Sequence, residues 1–337
     1  MPVSELNRGV PVLVAGVVAL AVGLLLQPLA IRFLRQRGVM DAPNDRSSHT
    51  TPTVRGGGVV VTAALVVGAL VASSVRPFDD RTPVVLLLVI ALSAAVGFAE
   101  DVSGVPVVPR FGLLLLSAAP LAFLLPGGPA TRSAGAVLLV FYAVAVINAT
   151  NFMDGINGIS AAQGAAAGVV FAALATAHEL ADVAVVAAAL TGAAVSFAPF
   201  NVPRASIFLG DVGSYGLGAA FAGLSAALVI GGVPPEAAVA PLLIYAVDTG
   251  ATLLRRLRAG EPWHLPHRTH TYQRLTDLGL SHAVVSGLVL ALILLCSALG
   301  AASLYSLTAR VVGDLLLVTV ALAYLGLPAL LRRRSLA

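Results

Sequence analysis

The stretch Ala134–Ala177, "AGAVLLVFYAVAVINATNFMDGINGISAAQGAAAGVVFAALATA", decides how this chain folds. Its two flanks are apolar and uncharged, and between them sits "NATNFMDGINGIS", Asn148 to Ser160. A helix needs roughly 20 apolar residues to cross the hydrocarbon core, with about 17–25 tolerated. The stretch therefore predicts two membrane-spanning helices joined by a short turn. Three asparagines, an aspartate and two glycines occupy that turn. A connection between helices makes use of glycine, but it does not require three side-chain amides beside a carboxylate.

The apolar pattern continues outward in both directions. Of 337 residues, 58% are hydrophobic and only 11% charged, against roughly 25% charged in soluble domains. This predicts an all-α, polytopic integral membrane protein, one domain over residues 1–337. Runs long enough to span fall at about 10–31, 57–75, 83–99, 111–126, 134–150, 157–177, 183–199, 213–231, 236–254, 282–303 and 311–331, giving ten or eleven transmembrane helices. The single cysteine, Cys296, lies in an apolar run, which excludes a disulfide framework and a cysteine metal site. Basic residues are not gathered on a soluble domain, which argues against nucleic acid as a partner. The first apolar run is long enough to span and is followed by arginines, so a cleavable signal peptide is not expected.

All 20 basic residues are arginine. Basic residues favour the inner side of a membrane. With the N-terminus outside, fifteen arginines fall inside and only Arg8, Arg76, Arg81, Arg132 and Arg310 outside. The inner loops are then about 32–56, 100–110, 151–156, 200–212 and 255–281. Nearly all the unusual polar sequence lies in them or at the adjoining ends of spans. A channel or carrier would hold ionisable groups nearer mid-membrane. The distribution predicts an enzyme with its active site at the cytoplasmic face.

Six constellations carry candidate chemistry. In "DAPNDRSSHTTPTVRGGG", His49 and Arg55 supply cations, and Gly56, Gly57 and Gly58 would admit a ligand close to the backbone, or else form a packing face. In "GFAEDV", Glu100 and Asp101 are adjacent carboxylates at a membrane boundary, a costly pairing that a divalent cation or a phosphate-bound proton would relieve. The opening turn offers Asn151 and Asp154, spaced to share a helical face, and then Asn157. In "FLGDVGS", Asp211 suits Mg2+, which takes one or two protein carboxylates and completes its shell with phosphates and water; the competing role is a helix cap. Asp248 lies inside the ninth span, where an ionisable group is a candidate by default, although Thr249 and Thr252 could satisfy it locally.

The sixth constellation is "EPWHLPHRTHTYQRL". His264, His267 and His270 raise a zinc site as a rival, but the spacing is not the helical i, i+4 pair and Pro266 breaks a helix there. Arg268 between two histidines suits phosphate instead. Trp263 and Tyr272 are candidates to stack on a base or sugar.

In this order along nearly the whole chain, the motifs resemble the polyprenyl-phosphate N-acetylhexosamine-1-phosphate transferase family, which includes the phospho-MurNAc-pentapeptide translocase. "HTTPTVRGGGVVV" is similar to the family's first cytoplasmic loop. "GFAEDV" stands where members carry Asp-Asp, "NATNFMDGING" where they carry N-x-x-N-x-x-D-G-x-D-G, and "FLGDVGS" where they carry F-x-G-D-x-G-S. "PHRTHTYQRL" is similar to the histidine-containing fifth loop, in a form closer to the O-antigen-initiating branch. Two positions depart: Glu100 replaces an aspartate, and Asn157 replaces the second aspartate of its motif.

The resemblance implies transfer of sugar-1-phosphate from a UDP-activated N-acetylated sugar to undecaprenyl phosphate at the bacterial plasma membrane, with release of UMP. It implies Mg2+, with Mn2+ as a substitute, held by Asp211, and a homodimer. Asp101, with Glu100, would position the lipid phosphate or take its proton, and Asp154 would join them in catalysis. Asn151 and Asn157 would contact nucleotide, with Asp248 also on the substrate side. His267, Arg268 and His270 would bind the diphosphate or sugar, Arg55 would neutralise the lipid phosphate, and His49 would bind substrate. A transporter or flippase of a lipid-linked sugar is the alternative. An intramembrane prenyltransferase would need paired D-D-x-x-D motifs, which the sequence lacks.

Overall fold

The computed structural model describes residues 3–43, 51–127, 129–262 and 267–335. His49, Trp263 and His264 lie outside them. The chain runs α1 (Val3–Gln36), β1 (Met40–Asp41), β2 (Thr53–Arg55), α2 (Gly58–Val75), α3 (Thr82–Ser103), α4 (Val107–Ala118) and α5 (Pro129–Met153). There follow α6 (Ile159–Ala177), α7 (Ala181–Asn201), β3 (Ile207–Phe208), α8 (Gly210–Ile230), α9 (Pro235–Val239) and α10 (Leu243–Arg258). A short α11 (Thr271–Asp277), α12 (His282–Gly300) and α13 (Leu307–Ser335) complete it. Among the described residues, 11 helical stretches are long and apolar enough to cross a membrane, at the positions the apolar runs predict. The protein is a multi-pass membrane protein. Within hydrocarbon the helix satisfies every backbone group internally, which is why the runs fold this way.

Helix α8 lies at the centre, with 89% of its most apolar window buried against 22% for α1 and 17% for α13. Its glycines and alanines let neighbours approach closely, as small residues do between helices in lipid. One buried cluster joins α1 to α9; a second joins the end of α5 and part of α6 to α10, α11, α12 and α13.

Two details differ from the sequence expectations. The polar ends of spans are helical rather than loop, so Glu100 and Asp101 sit in the last turns of α3, Asn151 in that of α5 and Asp211 in the first turn of α8. The all-helical architecture also carries a small sheet, with β2 between antiparallel β1 and parallel β3. Its register sets Arg55 beside Phe208 and Asp41 beside Thr53. Strands this short leave no hydropathy signature, and β2 and β3 meet only because their helices pack.

Candidate active site

Asp101 organises the site. Its Oδ1 accepts the backbone N–H of Asp211 at 3.0 Å and its Oδ2 that of Val212 at 2.9 Å, so a carboxylate on α3 caps the first turn of α8. The capping role expected of Asp211 is thus supplied from another helix. Gly210 makes this possible: its φ is +77°, and a Cβ there would lie 2.7 Å from Asp101 Oδ2. Arg55 Nη2 then lies 2.7 Å from Asp101 Oδ1 and 3.3 Å from Asp211 Oδ2. Asn151 Nδ2 donates to Asp211 Oδ1 at 2.8 Å and to Ser214 Oγ at 2.9 Å. Arg55 from β2 and Asn151 from α5 therefore reach the Asp211 carboxylate while Asp101 from α3 holds its backbone, and the partial positive charge of the α8 N-terminus favours the carboxylate there.

In front of this cluster opens a cavity of about 310 Å³, lined by Asp41, Arg55, Asn151, Asp154, Gly155, Ile156, Asn157, Asn201, Phe208, Leu209, Gly210, Asp211, Gln273 and His282. Asp154 Oδ1 accepts from Ser160 Oγ at 2.6 Å. Burial pushes Asp154 up to about 6; the Ser160 bond opposes this, and the negative charges of Asp211 and Asp101 add to it. Asn157 bridges rather than points freely. Its Nδ2 donates to the Pro203 carbonyl at 3.2 Å, its N–H donates to His282 Nδ1 at 3.3 Å, and its carbonyl accepts from Ser286 Oγ at 2.9 Å. Asn201 secures the same turn by accepting the Gly158 N–H at 2.6 Å and donating to the Ile207 carbonyl at 3.1 Å.

The cavity thus gathers Arg55, Asn151, Asp154, Asn157 and Asp211, while other candidates stand apart. Glu100 and Asp101, adjacent in sequence, turn to different arginines: Glu100 Oε1 accepts from Arg110 Nη1 at 2.7 Å and does not line the cavity. The boundary carboxylates are thus relieved separately by arginine. Gly57 and Gly58 serve helix packing, not a ligand: a Cβ on Gly58 would lie 2.1 Å from the Gly213 Cα of α8. Asp248 is 0% exposed and faces protein donors only. Tyr272 is also 0% exposed, and its hydroxyl donates to the Phe152 carbonyl at 2.9 Å, so it is no platform for a base.

The histidine loop packs beside the cavity. The rings of His267 and His270 lie 4.9 Å apart, and each contacts Phe152. Burial, then the electrostatic influence of His270, Arg256 and Arg255, pushes His267 down to about 4, so it is a neutral imidazole at neutral pH. Arg268 pairs with Asp277 at 3.0 Å. Asp41, Asn201, Gln273 and His282 are cavity residues that the sequence reading passed over. Asn201 lies within "PFNVPR", where an amide among prolines was the available signal; the other three carry none in local sequence.

A family model described as "Glycosyl transferase family 4" matches residues 83–229. Three curated relatives are similar over most of their length. The decaprenyl-phosphate N-acetylglucosaminephosphotransferase of Mycobacterium tuberculosis (strain H37Rv) is 31% identical, over 75% of this chain and 72% of the relative. The phospho-N-acetylmuramoyl-pentapeptide-transferase of Desulforudis audaxviator is 34% identical, over 66% and 76%. The probable undecaprenyl-phosphate N-acetylglucosaminyl 1-phosphate transferase of Bacillus subtilis (strain 168) is 26% identical, over 82% and 80%.

Proposed function

Because the chain belongs to glycosyl transferase family 4, we propose that it transfers an N-acetylated sugar-1-phosphate from a UDP-sugar to a polyprenyl phosphate, undecaprenyl phosphate in particular. The product is a lipid-linked sugar diphosphate, the first membrane step of a cell-wall or surface polysaccharide. The observation that carries this reading is the convergence of Arg55, Asn151, Asp154 and Asp211 on one cavity at the ends of spans. A nucleotide diphosphate would reach that cavity from water and a lipid phosphate from the bilayer. With fifteen of 20 arginines on its side, the cavity opens to the cytoplasm. The three relatives described above are all named as transferases, which favours this reading over a transporter.

In the reaction an oxygen of the lipid phosphate attacks the β-phosphorus of the UDP-sugar. The bond from that phosphorus to the oxygen bridging to the α-phosphate breaks, and UMP leaves with the bond's electron pair. Such a transfer depends chiefly on positioning and charge neutralisation. Arg55 neutralises phosphate charge at the mouth of the cavity, and the α8 N-terminus presents its field to the same charge. Asp101, with both oxygens engaged by backbone N–H groups, positions Asp211 and Arg55. Asp154 is the proton acceptor for the lipid phosphate, ionised above its pKa of about 6. Asn157, Asn201, Gln273 and His282 furnish amide and imidazole contacts on the nucleotide-sugar side.

The donor set suits Mg2+. Asp211 presents a hard carboxylate to the cavity in which the substrate phosphates would lie. That combination fits a cation taking one or two carboxylates plus phosphate oxygens. Asp211 would hold it, and when bound it would neutralise the diphosphate. The test is UMP release and the mass of the lipid product, with a panel of UDP-sugars, Mg2+ and undecaprenyl phosphate. Asp211→Asn is expected to lower the rate by about 10²–10³; an unchanged rate would overturn Asp211 as the metal ligand.

A further inference from the structure

Asp248 is a fully buried carboxylate that no step above uses. Its Oδ1 accepts the Thr271 N–H at 2.8 Å and its Oδ2 the Tyr272 N–H at 3.2 Å. The Tyr324 hydroxyl, from α13, donates to Oδ2 at 2.7 Å, and the Thr252 hydroxyl lies 3.3 Å from Oδ1. His270 Nδ1 lies 3.4 Å from the same oxygen. This ring of donors comes from three separate segments, which only a carboxylate with two acceptor oxygens could join.

What α11 carries gives the anchor its reach. Tyr272 crosses to the Phe152 carbonyl in the segment between Asn151 and Asp154. Gly155 has no side chain to resist it: a Cβ there would lie 2.1 Å from the Tyr272 hydroxyl oxygen. Gln273 accepts the His270 N–H at 3.2 Å and lines the cavity. Arg55 and Asp101, by contrast, hang from β2 and α3, and the hydrogen bonds of Asp248 run instead to α10, α11 and α13.

We propose that Asp248 is a positioning residue for the nucleotide-sugar side of the active site, docking α11 and the histidine loop onto the turn that bears Asp154 and so holding Gln273 in the cavity wall. The proposal rests on the transferase reading. An asparagine there keeps the shape but replaces one acceptor by a donor facing a donor. A hydrogen bond to a charged group contributes about 1.5–3 kcal/mol, which is roughly tenfold or more in an equilibrium.

The test uses the full-length protein in lipid nanodiscs, comparing the parent, Asp248→Asn, Tyr324→Phe and Asp211→Asn. Hydrogen exchange at the Thr271 and Tyr272 amides is read alongside KM for the UDP-sugar and for undecaprenyl phosphate. Asp248→Asn is expected to speed that exchange and to raise the UDP-sugar KM, each by about tenfold, with the lipid KM within about twofold. Tyr324→Phe, which removes one hydroxyl that does not line the cavity, moves both the same way by less, and it carries the test if Asp248→Asn does not fold. Asp211→Asn leaves the exchange unchanged. Unchanged exchange in both anchor variants overturns the anchor; faster exchange with an unchanged UDP-sugar KM, or an equal rise in both KM values, overturns the positioning role. A parent that turns over no UDP-sugar sinks the transferase reading instead, and the exchange data separate that failure from failure of the anchor.

Discussion

Asp101 and Asp248 do the same local job at two places with opposite outcomes. Each is a carboxylate on a spanning helix that accepts two consecutive backbone N–H groups at the start of another helix, α8 in one case and α11 in the other. Their remaining donors differ. Asp101 is completed by Arg55, whose side chain is 36% exposed and lines the cavity. Asp248 is completed by Tyr324 and Thr252, with the His270 ring packed 3.4 Å away, all within the protein. A carboxylate cap therefore becomes part of an active site when its last partner is a charge facing solvent, and remains scaffold when its donors are enclosed. Charge and depth alone do not separate the two.

The largest effect that would test this contrast is at Asp101. Asp101→Asn removes a buried charge that faces both Arg55 and the α8 amides. It is expected to destabilise the protein by about 3–5 kcal/mol and to abolish UMP release, checked by thermal unfolding and activity in the same detergent. Retained activity would place Asp101 with Asp248 as scaffold. Next comes Asp154, whose folded pKa near 6 exceeds its ordinary value. As a base it works ionised, so the rate should climb as pH rises through about 6, and Asp154→Asn should abolish that inflection. The stability effect has the opposite sense. A raised carboxyl pKa stabilises the protein below the ordinary value and loses that contribution as pH rises through about 6, and Asp154→Asn should not show the loss. The smallest effect belongs to Glu100, which pairs with Arg110 outside the cavity. Glu100→Gln should cost about 1 kcal/mol or less and leave the UMP release rate within about threefold; a far larger loss of rate would return Glu100 to the site.

Much of this was legible before any tertiary contact was known. Eleven spans followed from runs of apolar residues, because hydrocarbon leaves the backbone little choice but the helix. Asn151, Asp154 and Asp211 stood out because polar groups at span ends are costly without a purpose. Glu100 and Asp101 could not be told apart, since adjacent helical residues point about 100° apart and sequence does not say which direction holds a partner. Asp248 looked functional for the same reason that Asp101 did, and Tyr272 because an aromatic in that loop could stack on a base or sugar.

The sequence by itself determined that this is a membrane-embedded helical bundle, which family it resembles, and which turns hold its polar residues. Hydrophobic run length and local residue chemistry are properties of contiguous chain. The tertiary structure decided which carboxylates face the cavity, that a strand pairing between Arg55 and Phe208 brings Arg55 to Asp211, and that Asn157 ties the turn "NATNFMDGINGIS" to Pro203, His282 and Ser286. Those facts depend on donors arriving from distant segments, and only packing brings them within hydrogen-bonding reach.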